Sequence, residues 1–201
     1  ARLGRAQAGK VLEPAQLQLQ TLLTSLVVAR EWERGTMEAI MATPVTAWEL
    51  LAGKILPYFL LGLTSMTLCV ALAVLLFGVP FRGSLLALYA LSASFLVPAL
   101  GQGLLISAAT KNQFLASQVA LISAFLPAFL LSGFLFEISS MPTVIQWVTM
   151  IVPARYLIPS LQTVFLAGDI WPMFFRDIAI MLLIGAVLFA LAARSTRKRI
   201  A

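Results

Sequence analysis

The sequence predicts an all-α integral membrane protein, and its composition and its pattern of apolar runs both lead to that prediction. Of its 201 residues, 61% are hydrophobic and only 11% are charged, and the mean hydropathy is +0.97, more apolar than an ordinary soluble domain. Long apolar runs alternate with short polar connections, and α-helices satisfy their own backbone hydrogen bonds inside a bilayer. We therefore expect about five transmembrane helices, of which the first is short or truncated.

Four of the apolar runs are long enough to cross a hydrocarbon core, which takes about 20 residues of helix. They contain no acidic or basic residue except Arg176 and Asp177, near the start of the last run. The four predicted spans are Ile55–Phe77, Leu85–Ala109, Phe114–Phe136 and Phe174–Ala193.

The first apolar run, Leu17–Ala29, is shorter than the other four and contains Gln18 and Gln20. It is too short to cross the membrane alone, so we interpret it as part of a span whose outer half is missing or replaced. Residues 1–16 show no apolar periodicity and lack the apolar core of a signal peptide. We interpret them as a linker or a truncated extracytoplasmic segment, which leaves residues 17–201 as the transmembrane domain.

Two short helices are predicted before the last span. Ser140 and Pro142 are residue types that begin helices, and the apolar run Val144–Val152 is stopped by Pro153. A second amphipathic piece, Ala154–Ala167, is followed by a glycine, as helices often are. Neither piece is long enough to span the bilayer, so we expect two re-entrant or interfacial helices on the outer side.

The orientation follows from the distribution of lysine and arginine, which are in excess in cytoplasmic connections. If segment 30–54 is cytoplasmic, eight basic residues after residue 14 lie on its side of the membrane and three lie on the other. We therefore expect an inner-membrane protein with a cytoplasmic C-terminus, although Arg2, Arg5 and Lys10 count against it. The eight are Arg30, Arg34, Lys54, Lys111, Arg194, Arg197, Lys198 and Arg199, and the three are Arg82, Arg155 and Arg176.

The segment Arg30–Lys54 holds an unusual concentration of charges for so apolar a chain. Helical spacing of about 100° per residue places Glu31, Arg34 and Glu38 on one face and Trp32 on the opposite, largely uncharged face. This pattern predicts an amphipathic helix whose charged face points to the cytosol. The spacing alone leaves open a second interpretation, in which the charges only solvate a cytoplasmic loop.

A turn and a new helix follow this amphipathic segment. Pro44 ends the first helix, because proline lacks the N–H that a helix interior needs. Residues 46–49, Thr-Ala-Trp-Glu, have the Ser/Thr-x-x-Glu form of a capping box directly before the next predicted span. The polar segment is thus predicted to be a helix, a sharp turn and a capped membrane helix.

The string "VAREWERGTMEAIMATPVTAWELLAGKILPYFLLG", Val28–Gly62, closely resembles the first cytoplasmic loop of ATP-binding-cassette (ABC) permeases of the type-2 export class. The remainder of the chain, from Leu50 onward, also resembles that family in its four spans, its pair of short outer helices and its basic tail. The positions that match the family motifs are Glu33, Arg34, Gly35, Thr36 and Glu38, then Thr43, Pro44 and Val45, then Gly53 and Lys54.

The resemblance implies that the polar segment is a coupling helix, which rests on a separate ABC ATPase subunit. It further implies a second permease copy, as a homodimer or a paired permease, and ATP and Mg bound by the partner, with no cofactor on this chain. Family members similar to bacterial drug exporters usually begin with one span and a large periplasmic domain, so this chain is a candidate for the C-terminal half of a longer permease. The partner-binding residues implied are Glu31, Glu33, Arg34, Gly35, Thr36, Glu38, Thr43 and Pro44.

Several functions are disfavoured by residues that the sequence lacks. It has no histidine, which argues against catalytic triads of the Ser-His-Asp kind and most zinc sites. It has no G-x-x-x-x-G-K-[ST] phosphate loop and no carboxylate at mid-span, so neither its own ATP hydrolysis nor an ion gradient is expected to drive it. Its net charge of +6 comes from residues at the ends of apolar runs, which orient helices and do not indicate nucleic-acid binding.

Six residues inside the spans are weaker candidates for helix packing or for a translocation path. Three of them repeat at four-residue spacing and form a small-xxx-small face that allows close helix approach, within the chain or at a dimer seam. A glutamine beside a proline and two glycines suggests a kink and either faces the path or bonds to a neighbouring helix, and a second proline suggests another bend. The six are Pro98, Ala99, Gln102, Gly103, Ser107 and Pro127.

The predicted function is the permease subunit of an ABC exporter that moves an amphipathic drug or lipid-like substrate out of the cytoplasm. A periplasmic adaptor protein is a further candidate partner, beside the lipid bilayer itself. Two other classes of function are alternatives. An intramembrane enzyme would need an unusual catalytic set in a chain with no histidine, and a non-transporting membrane partner of an ATPase, in assembly or mechanotransmission, is the main alternative.

Overall fold

The structure is a computed structural model that describes residues 26, 30, 47–110, 112–133 and 138–196, without the side chains of residues 47–52, 54 and 196. Over these residues the chain is helical and contains no strand. The helices are α1 (Ala47–Leu75), α2 (Leu85–Thr110), α3 (Gln113–Ala120), a π-helical turn (Leu121–Phe125), α4 (Leu126–Leu130), a 3-10 turn (Ile138–Ser140), α5 (Thr143–Thr149), α6 (Ala154–Leu166) and α7 (Trp171–Thr196).

The four predicted spans are confirmed, with changes at their ends. Within the described residues, four helical stretches are long and apolar enough to cross a membrane, and α5 with α6 would be a fifth if the bent pair were one span. The third span stops at Leu130, not at Phe136, because Gly133 adopts a left-handed backbone with φ of +82° that ends a helix. The predicted first span, Leu17–Ala29, lies outside the described residues apart from residue 26.

Helix α2 is the centre of the bundle. In its membrane stretch 61% of residues are buried, against 11% in α1 and 17% in α7. Two glycines, Gly101 of α2 and Gly185 of α7, allow these helices to approach closely. A Cβ placed on Gly185 of α7 would lie 2.7 Å from Val97 Cγ1 and 3.0 Å from the backbone nitrogen of Pro98. Such close approach excludes any larger side chain at position 185 unless the helices separate.

We call the end of the bundle that holds the α1–α2 loop, residues 78–84, the outer end, following the predicted orientation. Helix α2 runs away from this end, and the stretch from α3 to α4 returns to it, since Gln102 of α2 bonds to Ser123 in the middle of the returning stretch. The end of α6 also lies here, because the Gly83 N–H donates to the Val164 carbonyl at 2.8 Å. The α5–α6 pair therefore starts and finishes at the same end.

The two short helices predicted before the last span are confirmed, and their re-entrant arrangement stays a prediction. They are bent by 78° at Pro153 and its neighbours. Arg155, at the start of α6, donates to the Gln146 carbonyl at 3.0 Å and to the Thr149 hydroxyl, and the Tyr156 hydroxyl donates to the Met150 carbonyl at 3.0 Å. A cation on the last carbonyls of a helix also complements its dipole, so this bend is held by specific bonds.

Candidate translocation path and coupling surface

The implied coupling residues, from Glu31 to Pro44, lie outside the described residues. The structure begins its continuous description at Ala47, the first residue of α1. The predicted capping box starts at Thr46, which lies outside the described residues, so it stays a prediction. The coupling assignment therefore remains a prediction from the sequence.

Gln102 reaches from α2 to the π-helical turn. Its Nε2 donates to the Ser123 carbonyl at 3.1 Å and to the Ser123 hydroxyl at 3.3 Å. In a regular α-helix the Ser123 carbonyl would accept from residue 127, but Pro127 has no N–H. The Gln102 amide thus supplies a donor to a carbonyl that has lost its regular helical partner. Because unsatisfied backbone groups are costly in a bilayer, this contact couples α2 to the bend in the third span.

The bend itself lies in residues 121–125, where the helix widens to π geometry. The phenyl rings of Phe125 and Phe129 stack beside it, with centroids 5.2 Å apart. Proline in a helix and π-helical turns are two recognised causes of helix bending, and π turns often occur at functional sites. The sequence indicated a bend from Pro127 and, as one of two alternatives, a bond from Gln102 to a neighbouring helix, and the structure shows that bond; the π turn was not expected.

The small-residue face of α2 is occupied by packing within the chain. Ala99, Gly103 and Ser107 are all buried, and Ala99 belongs to the main hydrophobic cluster with Phe174 and Met181 of α7. The Ser107 hydroxyl is buried with no hydrogen-bond partner among the described residues. This face is therefore used against other helices of the same chain.

Three hydrogen bonds form an outer clasp between residues 82–84 and residues 164–169. Besides the bond from the Gly83 N–H, the Ser84 N–H donates to Asp169 Oδ1 at 2.8 Å, and Arg82 Nη1 donates to the Leu166 carbonyl at 3.3 Å. A Cβ on Gly83 would lie within 2.8 Å of Val164 and of Asp169. The clasp connects the residues at the start of α2 to the C-terminal end of α6.

A buried carboxylate lies below the clasp, between α6 and α7. Asp177 is only 3% exposed, and its Oδ2 accepts a hydrogen bond from the Ser160 hydroxyl at 2.7 Å. Ser160 is fully buried. In the sequence, Asp177 is distinguished only as a charge near the start of the last predicted span. Its spacing from Phe174 and Met181, three and four residues away on the buried stripe of α7, was the signal that could have indicated its burial.

No metal centre is apparent in the part of the chain that the structure describes, where no group of three or more histidine, cysteine, aspartate or glutamate side chains could hold an ion. The described part of the chain instead contains close helix contacts, a bend and a buried carboxyl group.

Fold and composition define a multi-pass, all-helical membrane protein. The chain belongs to the ABC-2 family of transporter proteins, because the model of that family matches residues 16–194. No solved structure gives a significant match to it.

The similar proteins include three from Escherichia coli strain K12. The chain is 53% identical over 180 residues to the probable multidrug ABC transporter permease YbhS, covering 89% of this chain and 48% of that protein. It is 31% identical over 163 residues to the probable multidrug ABC transporter permease YbhR, covering 76% and 43%. It is 28% identical over 189 residues to the inner membrane transport permease YhhJ, covering 90% and 49%. The chain thus spans about half the length of the curated relatives it matches.

Proposed function

We propose that this chain is the transmembrane permease part of an ABC exporter, and that a separate ATPase subunit supplies the energy. Membership of the ABC-2 family carries the proposal, and the names of YbhS and YbhR as probable multidrug permeases support an amphipathic substrate. The implied coupling residues end at Pro44, three positions before Ala47 of α1 in the sequence. Movement of that segment would be transmitted to a membrane helix without an intervening domain.

The proposed cycle assigns each part of the chain a mechanical role. ATP and Mg bind to the partner, whose closure pushes the coupling segment of two permeases and opens the cavity between them outward. The central pair, α2 and α7, moves as one unit, because Gly101 and Gly185 keep their backbones in close contact. The π turn and the outer clasp are the places where the rest of the chain can move relative to that unit.

The faces that would meet the second permease or lipid are the outward stripes of α1 and of the stretch from α3 to α4. On α1 the exposed leucines follow a helical spacing and form an apolar stripe that is interrupted by the exposed Thr64, and a similar stripe follows the third span. An apolar stripe of this length is compatible with lipid and with a partner helix. The exposed residues are Leu56, Leu60, Leu68, Leu72 and Leu75 on α1, and Leu115, Val119, Ile122, Leu126 and Leu130 on the third span.

We further propose an inner-membrane location with the C-terminus in the cytoplasm, on the basis of the lysine and arginine distribution. A periplasmic adaptor is a candidate additional partner of the outer end. These assignments follow from the family and from the charge pattern together.

The test is reconstitution of the permease with its ATPase in liposomes. We expect the permease to stimulate ATP hydrolysis and to move a fluorescent amphipathic substrate across the bilayer in an ATP-dependent manner. A permease carrying Arg34→Glu serves as the uncoupled control. Stimulated hydrolysis with no movement of any amphipathic substrate would instead support a non-transporting role.

A further inference from the structure

We propose that Asp177 and Ser160 form a binding site for the ammonium group of an amphipathic amine. The proposal names the substrate chemistry of the proposed exporter, and in that respect it rests on the proposed function. The site lies between the re-entrant helix α6 and the last span α7. Asp177 is six residues into α7, about 9 Å along the helix from its outer end at 1.5 Å per residue.

The hydrogen bonding of the buried Asp177 carboxyl group is incomplete among the described residues. A carboxylate can accept about four hydrogen bonds, yet Asp177 receives one described bond, from Ser160 to Oδ2. The other oxygen, Oδ1, is buried and has no hydrogen-bond partner among the described residues. Buried carboxylates within spans are costly and commonly mark binding sites or transport paths. Oδ1 is therefore the position where a cationic donor is missing.

Arg176 does not fill this position. Its Nε lies 3.5 Å from Asp177 Oδ1, but the arginine side chain is 75% exposed while that of Asp177 is 4% exposed. An arginine whose side chain is largely in solvent provides only weak, screened compensation. Arg176 therefore forms an ion pair with Oδ1 from the solvent side, and Oδ1 still receives no hydrogen bond from the described residues.

Buried apolar side chains flank the pair of Asp177 and Ser160 on both helices. Leu157 and Val164, one turn on either side of Ser160, are buried, as are Phe174 and Met181, one turn on either side of Asp177. A carboxylate and a hydroxyl set in apolar walls match a ligand with one charged donor on an apolar body. The alternative ligand, a metal ion, needs several oxygen or nitrogen donors, and the described residues bring no group of three acidic, histidine or cysteine side chains together.

Asp169, eight residues earlier in the chain, differs from Asp177 in its surroundings. Asp169 is exposed and accepts from the Ser84 N–H at the start of α2, which is an ordinary role for a carboxylate at a helix N-terminus. Asp177 lies in no such position, since the one hydrogen bond described for it comes from a side chain of another helix. Both side chains are buried in this structure, so the proposed binding requires α6 to separate from α7.

The experiment measures equilibrium binding to the purified permease, without ATPase, in phosphatidylcholine nanodiscs. The probe is a dansyl-labelled pentylamine, which is protonated at neutral pH, and the matched control is its uncharged N-acetyl form. We expect the parent protein to prefer the amine, and Asp177→Asn to weaken amine binding by roughly 30-fold or more while leaving the N-acetyl probe unchanged. Asp169→Asn is the matched control variant and should bind both probes as the parent does.

Equal binding of the two probes by the parent, or unchanged amine binding by folded Asp177→Asn, would overturn the proposal. If Asp177→Asn does not fold, Arg176→Gln tests the same site. The exposed Arg176 guanidinium competes with the amine for Asp177 Oδ1, so its removal should tighten amine binding severalfold. Unchanged or weaker binding by that variant would mean that Arg176 and Asp177 form a structural pair, against the proposal. Because no ATPase is present, failure here is distinct from failure of the proposed export, which is judged by stimulated hydrolysis and movement of substrate.

Discussion

The side-chain amide of Gln102 donates to the backbone carbonyl of Ser123 at 3.1 Å, four residues before Pro127. Proline at position 127 removes the donor that this carbonyl would have in a regular helix, and a glutamine from the neighbouring span takes its place. Two residues singled out separately from the sequence are therefore parts of one feature.

The first prediction follows from that relationship. Gln102→Leu should lower the free energy of unfolding by roughly 0.5–2 kcal/mol, because the Ser123 carbonyl loses its donor in an apolar environment. In a Pro127→Ala background the same change should cost less, since the alanine restores the helical N–H. The check is a double-mutant cycle on the midpoint of thermal unfolding in detergent. Equal costs in the two backgrounds would show that Gln102 and Pro127 act independently.

The second prediction concerns the close approach of α2 and α7. Gly185→Ala should destabilise the protein by about 1–3 kcal/mol, because its Cβ would overlap Val97 and the Pro98 backbone. Gly53→Ala is the matched control in α1, where a Cβ meets nothing within 4 Å, and it should be neutral or stabilise by up to about 1 kcal/mol. Thermal unfolding of both variants checks the pair, and a Gly185→Ala variant as stable as Gly53→Ala would refute the packing.

The third prediction concerns the re-entrant pair and the orientation. Topology reporters fused after Val152 and after Gly168 should both report the outer side, because the pair starts and ends at that end of the bundle. In a Cys69→Ala background, Ser84→Cys should react with a membrane-impermeant thiol reagent in intact cells and Ser195→Cys should not. Reporters on opposite sides would mean a fifth crossing, and labelling confined to Ser195→Cys would reverse the orientation.

The fourth prediction concerns coupling to the ATPase. Arg34→Glu and Glu38→Lys should leave yield and stability nearly unchanged, because a surface ion pair is worth under about 1 kcal/mol. Both should reduce co-purification of the ATPase and its stimulated turnover, since losing one partner of an interfacial charge pair costs roughly 2–5 kcal/mol.

The matched control for the coupling variants is Arg194→Glu, at an exposed position near the end of α7, on the side predicted to be cytoplasmic. It reverses a charge outside the coupling segment and should retain the ATPase. If Arg34→Glu and Glu38→Lys also retain it with parental turnover, the charged segment is only a solvated loop.

The residues at which helices end were harder to predict from the sequence than the presence of the helices. The third span was expected to continue to Phe136, since its residues remain apolar, but it ends at Leu130 before a left-handed Gly133. Apolar composition reports where a helix can lie in lipid. It does not report a local backbone conformation that the glycine adopts in its particular surroundings.

The all-helical membrane class, the four spans, the short pair before the last of them and the ABC-2 family could all be inferred from the amino-acid order. Each of these depends on the length of apolar runs, on prolines and glycines, or on a local string of residues, all of which are properties of neighbours along the chain. Three pairings required the folded chain: Gln102 supports the bend at Pro127, Gly185 meets Pro98, and Asp177 is buried against Ser160. These pairings join residues distant in the chain, and they depend on how helices approach and rotate against one another, which hydrophobic periodicity does not specify.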